Sequence, residues 1–275
     1  MNPKAILQQY GLEPKKSLGQ NFLFDDQVLG RIVAAASLTT TDHVLEIGPG
    51  LGHLTEHLAN AAAAVTAVEL DQRYLPILHD RLGHLPQVRL IHGDILEQNL
   101  ALLFPQQSYK VVANVPYYIT GAILRHLLSA QSKPSLMVMT VQKEVAQRLA
   151  AKPGDLSLMA VSVQFYGQAR LVSTIRAGAF WPRPEVDSAI VRLDLYPEPL
   201  LPLAQEDAFF RVVKAGFSQK RKQLKNNLLA LGMGSERVAA ALQKAHIDGQ
   251  RRAETLTLPE WVALYQNLSV VADDK

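Results

Sequence analysis

Short β-rich apolar runs alternate with segments of helical periodicity over roughly the first two thirds of the chain. Such alternation predicts an α/β domain, Rossmann-like, with a mainly parallel sheet and helices on both of its faces. The predicted strands of this sheet are residues 43–47, 64–70, 88–93, 109–115 and 135–141.

Two further β-rich runs, residues 169–175 and 188–195, have no helical segment between them. They therefore predict an antiparallel hairpin at one edge of the sheet. Their connection, RAGAFWPRPEVD, is too rich in proline for regular structure.

The pattern changes at the proline-rich stretch YPEPLLPLAQED, residues 196–207, which has neither a helical nor a strand period. We place a domain boundary there and predict domains at 1–200 and 201–275. The second is a small all-α domain, because only helical periodicity follows the boundary. Its predicted helices are 206–216, 219–231, 235–244 and 258–268.

The amino-acid composition excludes several kinds of site and shows where positive charge is concentrated. The chain has no cysteine, which excludes disulfides, thiolate zinc sites and a cysteine nucleophile. It has no apolar run long enough for a membrane helix and no signal-peptide pattern, so we expect a cytoplasmic protein.

The net charge is only +3, but no acid occurs between Ala208 and Ser235. Positive charge for a polyanionic partner is therefore concentrated in that stretch.

A glycine-rich loop follows the first predicted strand, in the sequence LEIGPGLGHLTEHLA. Gly48, Gly50 and Gly52 let a ligand approach the backbone at the carboxyl edge of the sheet. Their spacing misses the G-x-G-x-x-G dinucleotide fingerprint, Pro49 removes one amide, and the loop lacks the lysine of a P-loop. The loop therefore disfavours a pyrophosphate ligand, and with it a nicotinamide-dependent oxidoreductase.

Two carboxylates follow at the ends of the next two predicted strands. Glu69 lies about 20 residues after the loop, where an acid commonly binds the ribose hydroxyls, and Asp94 can accept a hydrogen bond from an adenine amine. Together with the loop they predict an adenosine pocket without phosphates, which indicates S-adenosylmethionine. The alternative is that both acids only cap the helical segments after them.

The fourth predicted strand ends in Asn114, Val115, Pro116 and Tyr117. The Asn114 amide oxygen and the Val115 carbonyl can accept the two N6 hydrogens of an adenine and favour a tetrahedral nitrogen with an available lone pair. Pro116 fixes the turn, and Tyr117 offers a ring on which the base can stack. An ordinary Asn-x-Pro turn is the alternative.

The segment HLTEH, from His53 to His57, matches an H-x-x-E-H metalloprotease pattern. No third ligand can be chosen from the sequence, and the helix opens directly from the glycine loop. We therefore predict no metal and interpret the two histidines as part of a solvated helix face.

Several motifs, in order along the chain, resemble those of the ribosomal RNA adenine N6,N6-dimethyltransferases, most closely the bacterial small-subunit (16S) type. Asn114–Tyr117 resembles the N-L-P-Y motif of that family, with valine in place of leucine. The other matching segments are KKSLGQNFL (15–23), LEIGPGLGHLT, FWPRPEVDSAIVRL, GFSQKRKQLKNNL (216–228) and RAETL (252–256).

The resemblance implies roles that the residues alone do not show. Asn21 and Leu23 would contact the methionine end of the cofactor, while Gly48, Glu69, Asp94 and Asn114 match the other cofactor contacts of the family. Phe180 would be a second ring against the target base; without the resemblance, a core aromatic would be the better interpretation.

The resemblance also implies the partner, 16S rRNA within the small ribosomal subunit or its precursor, and we expect a monomer. The activity would be dimethylation of two adjacent adenosines near the 3′ end. Four basic residues would contact phosphates, although a charge run is commonly only a solvated face. A large-subunit rRNA methyltransferase and an assembly factor with secondary methylation are the alternatives. The four basic residues are Lys220, Arg221, Lys222 and Lys225.

Overall fold

The computed structural model describes residues 2–273 and shows two compact units. The first contains the chain up to Ala146 together with Ala169–Leu195, and the second contains Gln147–Gln168 together with the chain from Tyr196 onward. Among the helices of the described range, none is long and apolar enough to cross a membrane.

The seven strands predicted from the sequence are confirmed, and both ends of each lie within two residues of the predicted ends. They are β1 Phe22–Leu23, β2 His43–Ile47, β3 Ala64–Glu69, β4 Val88–His92, β5 Lys110–Asn114, β6 Leu136–Gln142, β7 Gly167–Ile175, β8 Phe180–Trp181 and β9 Ser188–Leu195.

Seven of these strands form one sheet with the order β4-β3-β2-β5-β6-β9-β7. Strands β2 to β6 pair in parallel, and β9 pairs antiparallel with β6. The α/β class with a hairpin at one edge is therefore confirmed.

The two very short strands, β1 and β8, form a separate antiparallel pair. The sequence pattern did not predict them, because two residues are too few to show a period. Their pairing joins the N-terminal segment KKSLGQNFL to the proline-rich connection that carries Phe180.

Helices of the first unit cover the sheet. They are α1 Pro3–Gln9, α2 Asp26–Ala36, α3 His53–Ala59, α4 Leu75–Leu82, α5 Leu100–Leu103, α6 Thr120–Ser129 and α7 Lys143–Leu149, the last crossing the unit boundary. Strands β2 and β6 are buried almost throughout, as expected for a parallel sheet with both faces covered. Buried side chains of α2 and α3, among them Ile32 and Leu58, pack with sheet residues such as Val112.

The strand order creates a crevice. From β2 the chain runs to β3 and β4 on one side, and then returns to β5 and β6 on the other. The loops after β2 and β5 therefore diverge at the carboxyl edge, which is where open α/β sheets bind ligands.

The second unit is helical, as predicted, around a core that includes Phe165, Phe209 and Trp261. It differs from the predicted 201–275 domain because residues 147–168 belong to it. Phe165 stacks on Phe209 with ring centroids 4.7 Å apart, and the Glu254 carbonyl accepts hydrogen bonds from the amides of Gly154 and Leu156. Its helices are α8 Leu158–Gln164, α9 Leu203–Gly216, α10 Leu224–Leu228, α11 Ser235–Lys244 and α12 Leu258–Asp273.

One predicted helix, 219–231, is wrong over its first half. Residues 217–223 form turns, α10 covers only Leu224–Leu228, and a 3₁₀ turn follows at Leu229–Leu231. Asn227 explains the difference, because its side-chain NH₂ donates to the backbone carbonyls of Gly216 and Gln219 and so holds the chain in a turn.

Candidate active site

A cavity opens at the carboxyl edge of the sheet, in the crevice between the loops after β2 and β5. It is lined by the N-terminal segment, the glycine loop, the ends of β3 and β4, the turn after β5 and the β8 strand. Every residue of the first unit that the sequence predicts to bind cofactor or base lines it. These residues are Asn21, Leu23, Gly48, Glu69, Asp94, Asn114, Pro116, Tyr117 and Phe180.

The glycine loop needs glycines for two different reasons. Gly48 and Gly50 both have positive φ, 67° and 58°, a conformation that L side chains rarely adopt. A Cβ on Gly50 would lie 3.2 Å from the Phe22 ring, whereas a Cβ on Gly48 would meet nothing within 4 Å. Gly50 therefore lets the N-terminal segment pack on the loop, and Gly48 leaves open space beside the backbone.

Glu69 ties the loop to β3. Its carboxylate accepts hydrogen bonds from the amides of Gly50 at 2.9 Å and Asp71 at 2.7 Å, and the residue is only 6% exposed. Burial raises the pKa of this carboxyl, against the lowering effect of the two amides. Glu69 does not cap the 3₁₀ turn Gln72–Tyr74, whose N-cap is Asp71, so the capping alternative is wrong for Glu69. Glu69 instead fixes the glycine loop and lines the cavity.

Asp94, unlike Glu69, both caps the turn that follows it and lines the cavity. Its Oδ1 accepts a hydrogen bond at 2.9 Å from the amide of Leu96, capping the 3₁₀ turn Ile95–Glu97. The residue lines the cavity beside Gly93 and Ile95. Capping and ligand binding are therefore compatible at Asp94, because a carboxylate has more acceptor positions than one cap uses.

Asn114 is oriented by the N-terminal segment. Its side-chain NH₂ donates to the backbone carbonyl of Asn21 at 3.3 Å, and the Asn21 side chain in turn donates to the Gly19 carbonyl. With its NH₂ group engaged, the side-chain oxygen of Asn114 is the atom left to accept a hydrogen bond from a substrate.

The turn after β5 carries two tyrosines with different surroundings. Tyr117 is partly buried, and its hydroxyl lies 2.6 Å from the Ser188 hydroxyl. Burial raises the pKa of Tyr117, so the phenol is neutral at physiological pH. Tyr118 also lines the cavity but is 59% exposed, and sequence reasoning did not single it out.

Phe180 is 3% exposed and packs in the same apolar cluster as Leu23, its partner in the β1–β8 register. The ring therefore fills the core, as the alternative interpretation expects, while it also contributes to the cavity wall.

Glu46 is a cavity residue that sequence reasoning missed. It is 1% exposed, and its Oε2 has no hydrogen-bond partner within the described part of the chain. Burial raises the pKa of this carboxyl from an ordinary 4.5 to about 8, and the charge of Glu69 adds to the rise. The available signal was an acid inside the otherwise apolar strand VLEI.

The histidines of HLTEH do not share one solvated face. His57 pairs with Asp26 at 2.9 Å, while His53 is 8% exposed and lines the cavity, so the solvated interpretation is wrong for His53. The described residues contain no cluster of three or more acids or histidines that could hold a metal ion.

The predicted RNA contacts lie in the second unit, on the turn between α9 and α10 and, for Lys225, in the first turn of α10. Leu224 and Leu228, on either side of Lys225 in α10, are fully buried. The basic side chains around them do not share this burial, because all four are exposed: Lys220, Arg221, Lys222 and Lys225.

The sequence is similar to curated bacterial proteins along almost its whole length. It is 46% identical over 263 residues, 95% of this chain and 90% of the relative, to the ribosomal RNA small subunit methyltransferase A of Dehalococcoides mccartyi. It is 45% identical over 279 residues, 98% and 96% of the two chains, to the protein of the same name from Bacillus licheniformis.

Solved structures give the same picture of the fold. The 23S rRNA methyltransferase ErmE has a TM-score of 0.74 and 31% identity, with 90% of this chain and 100% of that chain covered. A dimethyladenosine transferase from Plasmodium falciparum, at 24% identity, has a TM-score of 0.78 with 88% and 95% covered, and it supports the fold alone.

The family model described as ribosomal RNA adenine dimethylase matches residues 11–269. This match confirms the predicted class of enzyme, which acts on ribosomal RNA, and its cofactor, S-adenosylmethionine. The chain belongs to the ribosomal RNA adenine dimethylase family.

Proposed function

We propose that this protein dimethylates N6 of two adjacent adenosines near the 3′ end of 16S rRNA, using S-adenosylmethionine. The observation that carries the proposal is the convergence of nine predicted residues, from six separate parts of the sequence, on one cavity. The names of the two bacterial relatives support the small subunit as substrate.

The cavity suits the cofactor. S-adenosylmethionine is a cation that supplies an activated methyl group, and the unpartnered carboxyl oxygen of Glu46, in the described part of the chain, fits a ligand with an ammonium group. The open space beside Gly48 lets a ligand approach the loop backbone. We assign Asn21, Leu23 and Gly48 to the methionine side, Glu69 to the ribose and Asp94 to the adenine amine.

The turn after β5 would hold the target base. Asn114, oriented through Asn21, presents its side-chain oxygen to N6, and the Val115 carbonyl takes the second N6 hydrogen. Tyr117, and Phe180 if its ring is uncovered on binding, would stack on the base. This grip raises the nucleophilicity of N6 by favouring a tetrahedral nitrogen, and alignment of the reactants provides much of the rate.

The basic turn of the second unit would contact RNA phosphates, which position an RNA without reading its sequence. The adenosine itself must be unpaired or flipped to enter a cavity at the sheet edge. We propose a monomeric, cytoplasmic enzyme that meets its RNA within the small subunit or its precursor.

The test incubates the protein with methyl-labelled S-adenosylmethionine and unmethylated small ribosomal subunits, and then identifies the labelled nucleoside. We expect N6,N6-dimethyladenosine, and a loss of at least about 100-fold in Asn114→Ala, because the acceptor for N6 is removed. The matched control is Asn60→Ala, which changes an exposed asparagine at the end of α3.

Two other outcomes would contradict the proposal. Label found mainly in large subunits offered in parallel would favour the large-subunit alternative. Tight binding to the small subunit without label would leave the assembly-factor interpretation.

A further inference from the structure

Ser188 holds the Tyr117 ring from a position distant in sequence. It is completely buried at the start of β9, and its hydroxyl lies 2.6 Å from that of Tyr117, which is 71 residues away. A hydrogen bond at the far end of the ring restricts how the ring can tilt. The hydroxyl end of Tyr117, a residue that lines the cavity, is therefore held against the start of β9.

The preceding residue, Asp187, holds the segment that leads to Phe180. Its Oδ1 accepts a hydrogen bond at 2.9 Å from the amide of Ala177, the first residue of the 3₁₀ turn Ala177–Ala179. Phe180 follows this turn directly. The position of the turn thus depends on an acceptor at residue 187.

The backbone at these two residues is itself anchored. Ser188 pairs with Gln142 in the β6–β9 register, and the Asp187 carbonyl accepts a hydrogen bond at 3.0 Å from the Lys143 amide. Two neighbouring residues at the start of β9 therefore contact two different segments, Ser188 the Tyr117 hydroxyl and Asp187 the turn before Phe180. Such rigid support is what a stacking site needs, because small misplacement of a reacting group lowers the rate strongly.

We propose that Asp187 and Ser188 are positioning residues that set the two aromatic rings of the base-binding site, Ser188 through the Tyr117 hydroxyl and Asp187 through the turn before Phe180. This inference rests on the proposed function, since it assigns the rings to the target adenine. Neither residue touches the base; each acts through the ring that it holds.

A double-mutant cycle tests the Ser188 contact. Ser188→Ala and Tyr117→Phe should each lower kcat by about three- to tenfold, the effect of one hydrogen bond. The double variant should be no slower than either single one, because both changes remove the same interaction. The affinity for S-adenosylmethionine, measured by calorimetry, should stay within about twofold of the wild type.

If the fold-losses of kcat in the two single variants multiply in the double variant, the Ser188 assignment is wrong. Full activity in Tyr117→Phe would also overturn it. The phenylalanine variant keeps the ring and removes only the hydroxyl, so it tests the contact even if Ser188→Ala does not fold.

For Asp187, the comparison is between two substitutions. Asp187→Asn keeps an oxygen acceptor for the Ala177 amide and should retain most of kcat, whereas Asp187→Ala should lose about three- to tenfold. Equal losses of kcat in the two variants would show that the charge of Asp187 matters rather than its hydrogen bond to the Ala177 amide, and would overturn the assignment.

These results can be separated from a failure of the proposed function. If the wild type does not label adenosine in the small subunit, the function is wrong. If the wild type is active but the effects of Ser188→Ala and Tyr117→Phe on log kcat are additive, the proposed function is supported and only the positioning role is wrong.

Discussion

At the scale of single residues, the cavity is marked by buried carboxyl groups. Glu46 and Glu69 are 1% and 6% exposed, and burial raises the pKa of both. A carboxyl in such surroundings stays protonated at neutral pH more readily than in water. Sites that bind a charged ligand commonly contain such groups, because the ligand supplies the missing partner.

We predict that Glu46 makes the cofactor-free protein less stable as the pH rises from about 4.5 to about 8. In this window the folded state keeps a proton that the unfolded state has released, so the free energy of unfolding falls with pH, and Glu69 acts in the same direction. Glu46→Gln stays neutral and should reduce the slope by up to about 1.4 kcal/mol per pH unit.

Urea unfolding at pH 5.5, 6.5 and 7.5 measures this slope. Glu97→Gln removes an exposed glutamate of the same unit and controls for the loss of a charge. A Glu46→Gln chain with the same slope as the wild type would mean that Glu46 is ionised in the folded protein.

At the scale of elements, the turn between α9 and α10, together with the start of α10, presents the basic residues. Asn227 is 3% exposed and bonds two carbonyls of this segment, Gly216 at 2.6 Å and Gln219 at 3.1 Å. The amides of Leu224 and Lys225 donate to the carbonyls of Arg251 and Gly249. The turn is therefore fixed by hydrogen bonds from its own unit, which keeps its basic residues at the surface.

We predict that this turn gives the protein much of its salt-dependent affinity for the ribosomal subunit. Replacing Lys220, Arg221, Lys222 and Lys225 by glutamine should weaken binding at low salt. It should also reduce the slope of log Kobs against log salt by roughly 0.7 to 0.9 for each phosphate that the variant no longer neutralises.

Filter binding at a series of salt concentrations measures the slope. Lys244→Gln, an exposed lysine in the last turn of α11, is the matched control and should leave the slope almost unchanged. An unchanged slope in the fourfold variant would show that the basic turn is only a solvated surface.

At the scale of the whole molecule, the helical unit is not continuous in sequence. Residues 147–168 lie between two segments of the sheet unit along the chain but pack in the helical core, where Val161 and Phe165 are 1% exposed. The segment RAETL, residues 252–256, resembles a family motif and contributes to the same core, since its Ala253 and Leu256 are buried. This motif therefore has a structural role in holding 147–168.

We predict that a chain ending at Leu195 does not form a monomeric sheet domain that stays in solution without aggregating. It keeps 147–168 but lacks Phe209 and Trp261, so the apolar side of α8 loses its core and becomes exposed to water. We expect strong binding of a hydrophobic dye and aggregation on gel filtration.

The same truncated chain with Val161→Ser and Phe165→Ser is the control, and it should bind several-fold less dye. If the unmodified truncated chain is monomeric and does not bind the dye, residues 147–168 do not depend on the later helices.

Much of the fold could be predicted from the sequence because the information is local. The strands follow from runs of β-branched residues, and part of the cavity lining follows from motifs at strand ends, which a parallel sheet gathers at one edge. Asn21, Leu23 and Phe180 followed only from the family resemblance. The predicted helix at 219–231 failed because Asn227, a hydrogen-bonding side chain, competes with the helix for backbone carbonyls.

The sequence by itself determined the α/β class, the positions of the seven sheet strands, the family and nine of the residues that meet in the cavity. Only the tertiary structure decided that Glu46 is buried without a partner for Oε2 in the described chain, that Ser188 holds Tyr117, and that 147–168 joins the helical unit. These features depend on interactions between residues far apart in sequence. Burial and pairing at such distances arise from packing of the whole chain, which no local pattern records.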